Sequence, residues 1–480
     1  MFRELLAQVE NESIIRIADR AHAPLSAVSV IREKMQTLRE YADAGLLNAL
    51  AGTILRIEVR LQEMDLLHWL YLQNNPVKLY WADRDQEYIM AGIGETDVVS
   101  ATGALSYDDI FSRLQARLAR SHTHLRYYGG CRFYAPHPVD EHWQDFHTCR
   151  FIIPAFELFK NSDGTFLAAN FLWEKDARFL QRLDQMVYEL EHLNFSPTNG
   201  RKHQPQIIRR VDYPGREHWE QSIDAALQAF RSGVLEKIVL ARKSVFECAE
   251  GLDPVWLLQR LRALNPGLFY FCFQFAGGRA FIGGSPERLY KRTSQLLKTE
   301  AVAGTRPRGS SPEEDFRFGK ELITSSKDVR EHRYVLESIG QALSAVCETV
   351  DTDDELSLLK LSRVQHLICR MQGILRPGIG DAELLQRLHP TPAVGGSPKE
   401  KAIAAIRELE PFDRGWYAGP VGYVGRASSE FAVAIRSGLI TGRELALFSG
   451  AGIVEGSTSD GEWDEIENKI GNFMKILTEQ

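Results

Sequence analysis

Runs of aromatic, aliphatic and β-branched residues follow one another along this chain at short intervals, and this arrangement restricts the fold more than any other feature. Val77–Trp81, Tyr88–Ile93, Leu125–Phe133 and Phe151–Phe159 are such runs, and the turn formers Asn161-Ser162-Asp163-Gly164 follow as a hairpin signal. Further along, the strand Lys237–Phe246 precedes Phe269–Phe275 and Arg279–Gly283. Tyr417–Val424, Glu430–Leu439 and Leu445–Val454 close the series, the last two joined by Thr441-Gly442-Arg443-Glu444. Neighbouring strands with short connections pair antiparallel, because a parallel pair needs a crossover of a dozen or more residues. Helical periodicity appears at Asp176–Leu193, Arg216–Ser232, Val255–Asn265 and Glu462–Leu477. In the first third, Leu5, Val9, Ile54, Ile57, Val59, Leu61, Met64 and Leu67 recur at mixed three and four spacings and also predict helix. The expected class is α+β, with large antiparallel sheets flanked by helices. The turn-rich segment 194–200 suggests a boundary near residue 205, separating an N-terminal region, 1–205, from a C-terminal region, 206–480.

Charge narrows the partners. With 57 Lys+Arg against 64 Asp+Glu the net charge is −7, which argues against nucleic acid or an anionic membrane as the main partner. The stretch MFRELLAQVENESIIRIADR carries Arg3, Glu4, Glu10 and Glu12 among its apolar residues, so it lacks a signal-peptide core, and no apolar run reaches membrane-spanning length. The six cysteines, at 131, 149, 248, 272, 347 and 369, show no zinc-type spacing and are expected as reduced, mostly buried thiols of a cytoplasmic protein.

Several residues have the chemistry of a site. Lys237 opens its strand and shares a face with Val239 and Ala241, while Ile238 and Leu240 line the other. If both faces are covered, burial disfavours the ammonium and suits a general base, although a lysine at a strand's first residue also snorkels to solvent. Glu287, in Gly283-Gly284-Ser285-Pro286-Glu287, is either a solvated turn residue or an acid in a dry site. The loop Ala303-Gly304-Thr305-Arg306-Pro307-Arg308-Gly309 suits a carboxylate ligand, or is an exposed basic loop. Glu331 flanks a helical stripe of Val329, Leu336, Ile339, Leu343 and Val346, where an i,i+4 pair with Lys327 on the solvated face is its simplest role. On the closing helix, Trp463, Ile466, Ile470, Phe473 and Leu477 form the apolar stripe. Glu462, Glu465 and Lys469 fall on one side of it and Glu467 on the other. Two carboxylates one turn apart are suitable oxygen ligands for Mg²⁺; a Glu465–Lys469 surface pair is the alternative.

These motifs occur together and in order: GGSPERL (283–289), AVAGTRPRG (301–309), KDVREH (327–332), VQHL (364–367), the PK of 398–399, ELE (408–410), RGWYAGPVGY (414–423), VAIRS (433–437), SGAGIV (449–454) and GEWDEIENK (461–469). In this the chain resembles the chorismate-utilising enzymes, a family that includes anthranilate synthase component I, aminodeoxychorismate synthase component I, salicylate synthase and isochorismate synthase. The resemblance implies one intertwined catalytic unit, so the division at 205 is one of sequence more than structure. It implies that Glu331, Glu462 and Glu465 hold one Mg²⁺, which binds the ring carboxylate of chorismate. Tyr417 and Arg436, with the backbone at Gly450 and Gly452, would hold the enolpyruvyl carboxylate. Gly304, Thr305 and Lys469 would complete the anion cradle, and His366 would orient the substrate without transferring a proton. Amine-transferring members typically carry Gln at the position of Lys237, and anthranilate-forming members usually carry Thr at that of Ala393. Lys237 and the segment 388–396 therefore resemble the water-using, isochorismate-forming members, with Lys237 as base, Glu287 as acid and no amidotransferase subunit. The implied pathway is menaquinone or phylloquinone synthesis. Siderophore synthesis, a salicylate-forming enzyme and a non-catalytic chorismate-binding protein are the alternatives, and a monomer or homodimer is expected. A binding-only relative would have lost its base, acid or metal carboxylates, whereas Lys237, Glu287, Glu331, Glu462 and Glu465 are all present.

Overall fold

The computed structural model describes residues 12–478 apart from 105, 135–139, 175–178, 197–203 and 362. Leu5, Val9 and the linker candidate from 197 onward lie outside the described residues. Two large sheets dominate, of thirteen and ten strands among the described residues. Among the described residues all strand pairs are antiparallel except Ile14–His22 with Thr53–Leu61. Strands from both sides of residue 205 share each sheet: Lys78–Ala82 pairs with Phe269–Gln274 in the first, and Arg126–Cys131 with Pro420–Gly425 in the second. The sheets meet through contacts such as Trp81 edge-on to Tyr423 at 6.3 Å, and Phe273 of the first sheet packs at 5.5 Å on Trp416, in the turn before the strand Pro420–Gly425. No helix among the described residues is long and apolar enough to cross a membrane.

The early helix expectation fails at Thr53–Leu61, which is a strand buried on both faces. A two-faced buried strand loses the period-2 signal, and its charged residues mimic a helix's polar stripe. Here Arg56 and Glu58 are buried partners, with Arg56 also donating to Asn170 at 2.7 Å and to Glu157. The cysteine expectation also needs correction. Cys131 and Cys149 stand directly opposite each other across the Arg126–Cys131/Cys149–Ile153 pair, with Cα atoms 4.1 Å apart, and are joined in a disulfide. That proximity comes from strand register and has no trace in their spacing. Cys248, Cys272, Cys347 and Cys369 are buried thiols as expected.

Two predicted strands are each divided between the sheets. Phe151–Phe159 breaks at Pro154, which has no N–H for a ladder, into Cys149–Ile153 of the second sheet and Phe156–Asn161 of the first. Glu430–Leu439 becomes Ser428–Val433 in the second sheet and Ser437–Thr441 in the first, with the chain crossing at 434–436. A third crossing links Arg279–Ser285 of the first sheet to Arg288–Thr293 of the second, through Pro286 and Glu287.

Candidate active site

The crossings at 286–287 and 434–436 lie side by side. Val433 N–H donates to the Glu287 carbonyl at 3.1 Å, and Gly284 N–H donates to the Arg436 carbonyl at 3.1 Å. Arg436 takes a left-handed backbone, φ +50°, as does Ala418, φ +59°, just after Tyr417. Such conformations cost an L-residue roughly 1–2 kcal/mol and persist where surrounding bonds over-determine them. Here the Ala418–Gly419 turn and Ala434 are tied by two backbone hydrogen bonds: Ala418 N–H to Ala434 O at 3.0 Å, and Ala434 N–H to Gly419 O at 2.8 Å. The crossings border a cavity of about 1090 Å³, whose lining includes Glu287, Gly304, Thr305, Glu331, His366, Tyr417, Arg436, Gly450, Gly452, Glu465 and Lys469. Of the residues expected at a site, Lys237 and Glu462 are not among the residues lining the cavity. Ala393 and Val394 of the segment 388–396 also face it.

Glu287 is 5% exposed. Burial pushes its carboxyl up to about 8, the Glu300 carboxylate pushes in the same direction, and Lys237, the Thr391 hydroxyl and Arg436 oppose them. The Thr391 hydroxyl makes no hydrogen bond of good geometry, so its effect is one of proximity. A carboxyl that keeps its proton at neutral pH is a proton donor, which excludes the solvated-turn reading.

Lys237 is fully buried in its strand, Lys237–Cys248, and its Nζ donates to Glu331 Oε1 at 2.9 Å. Snorkelling is thereby excluded, and so is the expected Glu331–Lys327 pair. The helix Ser326–Val346 buries Asp328, His332, Val335 and Ile339, with His332 Nε2 at 3.0 Å from the Ala301 carbonyl. Its inward face therefore includes polar residues that an apolar count overlooks, and Glu331 lies in line with Asp328 and Val335 on that face. Gly452 is the close neighbour that makes the Lys237–Glu331 contact possible: a Cβ there would lie 2.7 Å from Glu331 Oε1 and 3.4 Å from Lys237 Cε. Gly452→Ala is expected to displace the Glu331 carboxylate and lower kcat by about ten- to a hundredfold. The thermal midpoint should change little, because the clash is with the end of a flexible side chain; steady-state kinetics beside a melting curve checks both.

Glu331, Glu465 and Glu462 each face a lysine. Glu465 accepts from Lys469 at 2.7 Å, and Glu462 lies 3.6 Å from Lys327 Nζ. Glu462 is raised by burial, and further by the Glu465 and Glu331 carboxylates. Among the described residues no group of three or more His, Cys, Asp or Glu side chains is gathered to hold a metal ion. The donor chemistry nevertheless fits a hard divalent cation: three carboxylates repel one another here, and a cation that drew them from their lysines would relieve the repulsion. Glu467, on the other side of the helix, pairs with Arg210 and Arg242 away from the cavity.

The opposite part of the lining is cationic and donor-rich. His366 Nε2 lies 2.8 Å from Arg436 Nη2, and His366 Nδ1 lies 3.1 Å from both the Gly304 carbonyl and Thr305 Oγ1. A guanidinium only donates, so Nε2 accepts and the Nδ1–H tautomer donates towards Gly304. Burial, reinforced by Arg436, pulls His366 down to about 3, which keeps it neutral and makes it a support for Arg436. Burial lowers Arg436 to about 10, still a cation at neutral pH. Burial also pushes the Tyr417 phenol upward, so it remains a donor. Gly450 gives that phenol room, since a Cβ would lie 3.1 Å from the Tyr417 oxygen; its carbonyl accepts from Lys469 Nζ at 2.8 Å.

Motif residues without an evident role in the sequence acquire one here. Arg414 donates to the Val239 carbonyl at 2.8 Å and the Val394 carbonyl at 2.9 Å, while Glu410 accepts from Ala241 N–H at 2.7 Å and from Arg414. This buried pair locks the Lys237 strand to the segment 388–396. Arg84 and Glu300, which touch the Glu287 crossing, were not legible because their partner lies more than two hundred residues away.

Residues 43–478 match the family described as chorismate binding enzyme. The isochorismate synthase MenF of Haemophilus influenzae is 31% identical over 89% of this chain and 92% of its own. A chloroplastic isochorismate synthase of Catharanthus roseus is 34% identical over 81% of this chain and 68% of its own. Among solved structures, MenF, the menaquinone-specific isochorismate synthase from Escherichia coli, superposes with a TM-score of 0.79 at 29% identity, covering 90% of this chain and 98% of that one. Anthranilate synthase component I from Streptococcus pneumoniae shares the fold, with a TM-score of 0.65 at 20% identity over 84% of this chain and 90% of that one.

Proposed function

Because the chain belongs to the chorismate-binding enzyme family, we propose that it is an isochorismate synthase, adding water at C2 of chorismate and expelling the C4 hydroxyl. The observation that carries this reading is Glu287, a buried carboxyl on the cavity wall that burial pushes up to about 8. Arg436, Tyr417 and the Gly450–Gly452 backbone hold the enolpyruvyl carboxylate, with Thr305, Gly304 and Lys469 completing the anion cradle. Lys237, as the free amine, takes a proton from water as the oxygen attacks C2, and the Glu331 carboxylate 2.9 Å away holds its Nζ in place. The ring double bond shifts, the C4–O bond breaks, and Glu287 gives its proton to the leaving hydroxyl, so one water enters and one leaves. Glu331, Glu462 and Glu465 would hold Mg²⁺, which supplies a charge for the ring carboxylate of chorismate and polarises the conjugated ring. Water as nucleophile needs no amidotransferase subunit, and the product feeds menaquinone or phylloquinone synthesis.

Turnover in heavy-oxygen water tests the proposal: the product should carry one heavy oxygen, at C2, and unlabelled product would contradict it. Two further outcomes are expected. kcat/KM should fall as pH rises past about 8, where free Glu287 loses its proton, and His366 should add no limb near neutrality. Chelation of divalent cations should reduce turnover by at least about a hundredfold, with recovery on adding Mg²⁺.

A further inference from the structure

No residue before Val239 lines the cavity among those described, yet the N-terminal region reaches the crossing that carries the proton donor through Arg84. Arg84 follows the strand Lys78–Ala82 and is 9% exposed. Its Nη1 donates to the Pro286 carbonyl at 2.9 Å and to Glu300 Oε1 at 2.7 Å, and its Nη2 donates to Glu300 Oε2 at 2.8 Å. Glu300, 1% exposed on the strand Leu296–Pro307, also accepts from Arg288 N–H at 3.1 Å. One guanidinium thus grips the residue before Glu287, and the carboxylate it holds grips the residue after. A two-armed arginine–carboxylate contact restricts both partners in a way a single ammonium does not.

We propose that Arg84 and Glu300 are positioning residues for the Glu287 carboxyl, Arg84 fixing at once the backbone of the sheet crossing and the carboxylate that faces the acid. The inference rests on Glu287 being the proton donor. After burial, Glu300 is the group that favours the protonated form of Glu287; Lys237, the Thr391 hydroxyl and Arg436 favour the ionised form. Glu300 can remain in so dry a place because Arg84 and Arg288 satisfy it. The pair therefore sets both where the acid stands and how far into the alkaline range it keeps its proton.

The test is the pH dependence of kcat/KM for Glu300→Gln, measured beside Glu287→Gln. Glu300→Gln should move the alkaline limb down by about one pH unit or more. A limb that stays where the parent has it overturns the proposal. If Glu300→Gln does not fold, Arg84→Met combined with Glu300→Gln leaves no unpaired buried charge and should show a downward shift; an unmoved limb there also overturns it. Glu287→Gln turning over like the parent would overturn the acid assignment itself, a failure distinct from an inactive Glu287→Gln beside an unmoved Glu300→Gln limb.

Discussion

Lys237→Gln should abolish water addition while leaving chorismate bound. The glutamine amide can still donate to Glu331, so the fully buried position keeps a partner, but it cannot take a proton from water. Loss of a positioned general base costs about 10²- to 10⁴-fold in rate. The contacts proposed for the substrate, at Arg436, Tyr417 and Lys469 on the cavity wall, come from other elements and should keep the affinity for chorismate within a few fold. Isochorismate formation followed against time, with chorismate binding measured separately, reads both quantities; unchanged turnover would remove Lys237 from the mechanism.

Glu287→Gln should produce a loss of similar size with a different signature. The parent carboxyl is neutral below about pH 8, so the amide replaces it with little change of shape or charge and the fold should persist. The residual rate should lose its decline above pH 8, since the titrating donor is gone. Stability should respond as well. A folded-state value raised above the unfolded one means that the folded form binds the extra proton between about 4.5 and 8, so the stability tied to Glu287 is complete below that window and is lost as pH rises through it. Glu287→Gln lacks this dependence, and its thermal stability relative to the parent should rise across the window, on the order of 1 kcal/mol per pH unit. Melting curves at several pH values check the sign, and a difference that is constant or falls with pH would contradict the buried neutral acid.

Antiparallel architecture was legible because strand runs and turns are local signals: the Asn161–Gly164 hairpin and the strands around Lys237 and Phe269 appear where expected. What failed to register was sheet membership. Nothing in VAIRS announces that the chain changes sheets there, although that change aims Arg436 into the cavity. Glu331 was misplaced on the solvated face because its helix buries Asp328 and His332, and a pattern of apolar residues counts neither. The expected metal carboxylates each face a lysine, and among the described residues they are not gathered as a metal-holding group. Arg84 and Glu300 escaped notice because their meaning depends on a contact between distant segments.

The chemistry is tested most directly by incubating the protein with chorismate and Mg²⁺ and separating the products by chromatography. Isochorismate should accumulate as the product, approaching an equilibrium with chorismate. Salicylate with released pyruvate, or chorismate bound but unchanged, would contradict the assignment of Lys237 and Glu287 to a simple exchange of water between C2 and C4.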